Sequence, residues 1–373
     1  MYDIIEVKKV KICFVSLNSY SLLIDTHQDY IGGAELQQVE IAKELRQRGY
    51  EIVFITYGEN ERKSSNGIQI LPTYNRNNVK QYSSIKKAFI IYKKMRTANA
   101  DIYFYRAGSP AIVTFFGKLL GKKVIHQIAS DTQFIKRNFF EERRFQGHLG
   151  QIGNWFDIKF SDVVISQNEF QNSMLKDRYN INSVEIKNVL HLAPLDNIRT
   201  DKITILWVGT IRAIKQPDLF LKIAKHFPEY NFVMIGGLGE NIELFNDTKN
   251  AASQIKNLDF KGFVTHDKIS DYYKKAFLLI NTSEMEGVPN VFLEAWMHSI
   301  PVISLNVDPD GVLSKYKLGY CSKSFNQLLS DVKKLMEDKK LLNIMGKNGR
   351  KYIEENHELK KLVNKYEKLI ENM

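Results

Sequence analysis

The 373 residues are too many for one ordinary domain and suit two. Apolar content of 44% can fill sizeable cores, and no stretch reaches about 18 uninterrupted apolar residues, so no transmembrane helix is expected. Lys and Arg number 53 against 42 Asp and Glu, and the net charge of +11 suits phosphorylated ligands or an anionic membrane face better than nucleic acid, for which no zinc-ligand spacing, RNA-recognition signature or helix-turn-helix cue is present.

Strands and helices alternate along the chain, which predicts an α/β fold with parallel sheets covered by helices. Val10–Ser16 reads as the first strand. A polar loop from Asn18 to Ile31 leads to Gly32 and Gly33, and a helix from Gly33 to Arg48 stops at Gly49. Further strands are expected at Glu51–Thr56, Asp101–Tyr105, Lys123–His126 and Asp162–Ser166. Helices fall near Ser83–Ala98, Pro110–Leu120 and Glu169–Arg178. The polar, irregular stretch from His191 to Lys202 reads as a linker. The pattern restarts at Ile203–Val208 and continues through strands at Asn231–Ile235, Leu258–Gly262, Phe277–Thr282 and Pro301–Leu305. Two helical segments, about Asn326–Asp338 and Lys340–Asn372, close the chain. The expected organisation is a domain at residues 1–192, a linker at 193–202, a second domain at 203–355 and a closing helix at 356–373.

The densest chemistry lies between Ser283 and Trp296. Glu286 follows a buried strand, Gly287, Pro289 and Asn290 form a turn, and Glu294 lies about one turn into a helix, roughly 6 Å further along its axis. A helix start between two carboxylates is a natural seat for a diphosphate. Glu294 is flanked by Leu293, Ala295 and Trp296, an apolar setting unlike that of a surface acid. Arg212 and Lys215 follow the first strand of the second half and are three residues apart, so a helical turn would place both cations on one face. The alternative for that pair is a solvated surface. Gly32 and Gly33 allow close backbone approach or simply open a helix. His126 closes a short strand, with Ser130 and Asp131 shortly after, and is as readily structural as functional.

The run Glu286-Gly-Val-Pro-Asn-Val-Phe-Leu-Glu294-Ala resembles the Glu-x7-Glu signature of the family 4 retaining glycosyltransferases. Gly32-Gly33-Ala34-Glu35, Val208-Gly209-Thr-Ile-Arg212-Ala-Ile-Lys215 and Gly236-Gly237-Leu-Gly239 fall in that family's order. The resemblance runs from about Lys11 to the last helix. It implies the GT-B fold: two Rossmann-like domains with parallel sheets facing a central cleft, and a final helix that returns to the N-terminal domain. It implies that Arg212 and Lys215 hold the leaving diphosphate, and that Gly33, Gly209, Gly237, Gly287, Val288, Pro289 and Asn290 line the donor. Glu286 then takes sugar hydroxyls and Glu294 the ribose. It places Gly32, His126 and Asp131 toward the acceptor, with His126 also touching the transferred sugar. No nucleophile–base pair is evident, and front-face transfer needs none.

The partners implied are a nucleotide-sugar donor and a glycan or lipid-linked acceptor, with no cofactor. Asp308-Pro-Asp310 reads as a turn, so no catalytic metal is expected. Cys13 and Cys321 fall in different expected domains, and Met1–Lys9 has no signal-peptide layout, so a cytoplasmic enzyme fits. Two segments mixing cations with aromatics, Lys86–Arg96 and Ile135–Phe145, are candidates to rest on the inner membrane face or to pack as ordinary helices. The rival readings are a nucleotide-sugar epimerase or phosphorylase on the same scaffold, and a non-catalytic sugar-nucleotide-binding protein.

Overall fold

Short runs of two to six residues, most of them apolar, supply the strands of two sheets. The computed structural model describes residues 10–24, 33–58, 63–75, 78, 81–106, 111–134, 145–192 and 204–373. The chain divides into two compact units, Met1–Val189 with Leu359–Met373, and Leu190–Glu358.

In the first unit, β1 (Lys11–Val15), β2 (Glu51–Thr56), β3 (Lys63–Ser65), β4 (Ile68–Pro72), β5 (Ile102–Tyr105), β6 (Lys123–Gln127), β7 (Val163–Ser166) and β8 (Val184–Glu185) form one sheet. Their order is β3-β4-β2-β1-β5-β6-β7-β8. Among the described strands only the edge strand β3 pairs antiparallel. One face is covered by the helix Gly33–Gln47 and by the C-terminal helix Leu359–Glu371, whose Leu362, Val363 and Tyr366 join Phe14, Phe54 and Phe104 in one core. The opposite face buries Val15, Tyr105 and Val124 beside Met95 and Val113, from the helices Ser84–Ala98 and Ile112–Leu119.

The second unit holds β9 (Thr204–Val208), β10 (Asn231–Ile235), β11 (Leu258–Gly262), β12 (Ala276–Asn281), β13 (Val302–Ser304) and β14 (Gly319–Cys321), in the order β11-β10-β9-β12-β13-β14. Every pairing in this sheet is parallel. Its helices are amphipathic. Phe325–Glu337 is capped by Ser324 and buries Leu328, Val332, Leu335 and Met336 on one stripe.

Several elements go beyond the sequence reading. Strands β3, β4, β8 and β14 and the helices Phe145–Phe160, Ile242–Ser253 and His266–Lys275 were not anticipated. The single helix expected from Lys340 to Asn372 is two, Lys339–Asn356 and Leu359–Glu371. The break has a local cause: Leu190 N donates to His357 O at 2.7 Å, and Leu190 bridges to Glu358, so the backbone there is occupied by strand-like pairing. The expected linker at 193–202, Gly32, and the segment 135–144 lie outside the described residues. No helix among the described residues is long and apolar enough to cross a membrane.

Candidate active site

The second sheet reverses direction at β9. The chain steps outward to β10 and β11, then returns to lay β12 on the other side of β9. The segments that leave β9 and β12 therefore diverge from adjacent strand ends, which is where open α/β sheets bind ligands.

After β9, Gly209 N donates to Ile235 O and Ile211 N to Gly237 O, each at 3.0 Å. This thin ladder brings the two backbones very close. A Cβ on Gly236 would stand 2.6 Å from Gly209 O, and one on Gly239 would collide with Ile211 O. Those two glycines are needed for backbone packing. Gly237 is less constrained, with Phe263 at 3.2 Å from an added Cβ.

Arg212 then precedes a 3-10 turn, Ala213–Lys215, and Gln216 takes a left-handed conformation before the helix Pro217–His226. The β9 and β12 loops are stitched together. Trp207 Nε1 donates to Thr282 Oγ1 at 2.9 Å, Thr282 Oγ1 donates to Lys215 O at 2.7 Å, and Glu284 N donates to Ile214 O at 2.8 Å. The result fixes Lys215 against Glu286, with Nζ 2.5 Å from Oε2. The other carboxylate oxygen accepts from Asn281 Nδ2 at 2.9 Å and Ser283 Oγ at 2.6 Å. Burial pushes the Glu286 carboxyl up, but the charge of Lys215 and the hydrogen bonds from Lys215, Ser283 and Asn281 outweigh it. The net shift is below the usual glutamate value.

Arg212 and Lys215 pair with different carboxylates. Arg212 has an extended backbone and stands just before the 3-10 turn that ends at Lys215, and its Nη2 pairs with Glu240 at 3.2 Å, in a solvent-exposed contact. Arg212 Nε is buried without a hydrogen-bond partner among the described residues.

Downstream, Gly287 is buried and Pro289 is the N-cap of the helix Asn290–Met297. Glu294 lies half-buried on that helix, on the side of Tyr273. Burial first, and then the charge of Glu294, push the Tyr273 phenol far up. Tyr273 stacks on His298 with centroids 5.7 Å apart. The two glutamates thus differ: Glu286 is tied by three donors, whereas Glu294 sits against an aromatic wall. Asp308-Pro-Asp310 belongs to a 3-10 turn in which Asp308 Oδ1 accepts from Leu313 N at 2.9 Å.

Three expected residues lie in the first unit. Gly33 opens the helix Gly33–Gln47. Asp131 Oδ1 accepts from Gln171 Nε2 at 2.8 Å and ties its turn to the helix Glu169–Tyr179. β6 runs one residue further than expected, through Gln127, so His126 lies inside the strand and is 1% exposed. Strand alternation puts it on the face of Val124, with its ring 4.6 Å from that of Tyr105. Burial lowers its pKa to about 3, which keeps the ring neutral. Asn281, Thr282, Ser283 and Trp207, which position Lys215 and Glu286, went unread in the sequence. Their only signal is a polar triplet ending an apolar strand.

Two family descriptions match the chain nearly end to end. "Glycosyltransferase Family 4" matches residues 31–189, and "Glycosyl transferases group 1" matches residues 195–352. The chain belongs to the family 4 glycosyltransferases. It is a hexosyltransferase of the GT-B fold. An uncharacterised glycosyltransferase of Haemophilus influenzae is 26% identical, over 74% of this chain and 78% of its own length. A galactosyltransferase of Escherichia coli, named for UDP-Gal and α-D-GlcNAc-diphosphoundecaprenol, is 27% identical over 47% of each chain. Among solved structures, sucrose-phosphate synthase of Thermosynechococcus elongatus superposes on this glycosyltransferase with a TM-score of 0.79, at 15% identity, over 98% of this chain and 99% of its own. Anabaena HepE in complex with UDP-glucose gives 0.76, at 12% identity, over 97% and 100%.

Proposed function

We propose that this glycosyltransferase moves a hexose from a UDP-type donor, bound in the second unit, to a lipid-linked saccharide, with retention at the anomeric carbon. The Lys215–Glu286 pair at the sheet reversal carries the reading. A carboxylate held by three donors is an ordered acceptor for sugar hydroxyls. Arg212 supplies the mobile cation: its contact with Glu240 is exposed, and an exposed pair is readily exchanged for a diphosphate oxygen. Glu294 takes the ribose. Because both oxygens of Glu286 are engaged, it serves as a binding group and not as a nucleophile. The bond from the anomeric carbon to the diphosphate breaks and the acceptor oxygen bonds on the same face. The acceptor proton passes to the departing diphosphate, whose charge the cations stabilise.

Two relatives support the ligand classes. HepE was crystallised with UDP-glucose, and the E. coli enzyme is named for UDP-Gal and a diphosphoundecaprenol-linked sugar. A lipid-linked acceptor requires an approach to the bilayer. The adjacent helices Ser84–Ala98 and Ile112–Leu119 offer one, because Ile85, Phe89, Phe115 and Leu119 are exposed beside Lys86 and Lys93, and neither helix carries an acidic residue. The enzyme would then work at the cytoplasmic membrane surface in surface-polysaccharide synthesis.

Thermal-shift and transfer assays with UDP-glucose, UDP-galactose and UDP-N-acetylglucosamine, with and without a polyprenyl-diphosphate sugar, test this. Stabilisation by one donor and acceptor-dependent transfer, both lost in Glu286→Ala, are expected. Conversion of the donor without acceptor would overturn the transferase reading in favour of epimerisation.

A further inference from the structure

The first sheet has its own reversal. From β1 the chain moves outward through β2 and β4, then returns to place β5 on the other side of β1. By the same rule as before, the ends of β1 and β5 are a place for ligand. The residue that follows β5 is Arg106.

Arg106 is 5% exposed. Its Nη2 donates to Asn188 Oδ1 at 2.9 Å, and among the described residues neither Nε nor Nη1 has a hydrogen-bond partner. A buried guanidinium is costly unless its N–H groups are engaged, and one neutral amide is slight compensation. Burial pulls its pKa down to about 10, partly offset by Tyr366 and Glu35, so the group is cationic at neutral pH. Glu35 is itself held by Asn18 Nδ2 at 3.3 Å. At the adjacent end of β1, Gln38 Nε2 donates to Ser16 Oγ at 2.9 Å, while Gln38 Oε1 is buried without a partner among the described residues. Polar capacity in excess of what the fold uses is thus gathered at this reversal. None of it belongs to the donor residues of the second unit.

The geometry points to Arg106 as an oxyanion-binding residue of the first unit, one that takes the phosphate carried next to the sugar of the acceptor. The inference deepens the transferase reading and rests on it for the word acceptor. The planar guanidinium, held at one end by Asn188, presents donors that a phosphate can accept from at more than one oxygen. A lysine would supply the charge without that geometry.

Calorimetric titration of the full chain with N-acetylglucosamine 1-phosphate, N-acetylglucosamine and UDP tests this, in wild type, Arg106→Gln, Arg106→Lys and Arg212→Ala. Wild type should prefer the phosphorylated sugar to the plain sugar by about tenfold or more, the scale of one charge-assisted contact. Arg106→Gln should abolish that preference, Arg106→Lys should reduce it, and both should leave UDP affinity within about twofold. Arg212→Ala should do the reverse. Lack of phosphate preference in wild type overturns the assignment even if the variants fail to fold. So does a folded Arg106→Gln that binds both ligands normally, or one that loses UDP equally. If wild type does not bind UDP, the donor reading fails, while Arg106-dependent capture of the sugar phosphate would still support an oxyanion site.

Discussion

Lys215 and Arg212 are three residues apart and meet carboxylates in different surroundings. The side chains of Lys215 and Glu286 are 21% and 15% exposed, and removing one partner leaves the other charge nearly buried and uncompensated. Those of Arg212 and Glu240 are 40% and 84% exposed, and such a pair contributes about 0–1 kcal/mol. Urea unfolding should therefore show Lys215→Ala destabilised on the order of 3 kcal/mol and Arg212→Ala by less than about 1 kcal/mol, while both weaken UDP-glucose binding. Equal stability losses would mean that the Lys215–Glu286 contact is not special. The pH dependence follows from the lowered Glu286 pKa. A carboxyl depressed in the folded state stabilises fully above its ordinary value of 4.5 and loses that contribution as pH falls through the folded value. Wild type should exceed Glu286→Gln in stability at neutral pH, and the gap should close on acidification below that value. A gap that persists in acid would show that packing and not ionisation carries it.

The helix Asn290–Met297 brings Glu294 to the site, and the helix Lys339–Asn356 holds it there. Gly346 and Gly349 make that approach possible. A Cβ on Gly346 would overlap Ser299 O, a backbone atom with no freedom to yield, and one on Gly349 would lie 2.6 Å from Trp296 Cδ1. Gly346→Ala should cost roughly 1–3 kcal/mol by overpacking and should lower donor affinity by displacing the helix that carries Glu294. Scanning calorimetry and UDP titration check the two effects. Unchanged stability would mean that the helices separate freely. Much of this level is legible in the sequence. The strands expected around β1, β2, β5, β6, β7, β9, β10, β12 and β13 are mostly apolar runs with clear turns, β11 alternates apolar and polar residues, and strand-turn-helix order alone places Glu286 and Glu294. What is not legible has physical causes. β14 is three residues long and β8 two, too short for periodicity to register. Gly346-x-x-Gly349 reads as a weak helix until its neighbour is known. Arg106 and the Asn281–Ser283 triplet are short polar stretches at strand ends, and only tertiary contacts reveal what they meet.

At the scale of the molecule, the closing helix Leu359–Glu371 belongs to the core of the first unit although the chain reaches it through the second. Arg48 locks it there, with Nη2 donating to Lys360 O at 2.9 Å and Nη1 bonded to Glu367. The net charge of +11 has no such internal use. Part of it lies on the helix Ser84–Ala98, where the Lys93 ammonium sits 4.7 Å above the Phe89 ring and Lys86 lies at the same distance from Tyr82. An exposed Phe89 and a half-buried Tyr82, each with a cation over its face, suit an interface that is part acyl chain and part anionic headgroup. Each lysine near such a surface contributes about 1 kcal/mol. Lys86→Ala with Lys93→Ala should therefore weaken binding to phosphatidylglycerol vesicles by about 2 kcal/mol, roughly thirtyfold, and leave UDP-glucose affinity unchanged. Wild-type binding should fall as salt shortens the Debye length from about 10 Å at 0.1 M toward 3 Å at 1 M. Vesicle co-sedimentation measures both. Binding to phosphatidylcholine as strong as to phosphatidylglycerol, or indifference to both lysines, would remove the electrostatic argument. A lipid-linked acceptor, if that is the substrate as proposed, would then have to reach the enzyme by some other surface.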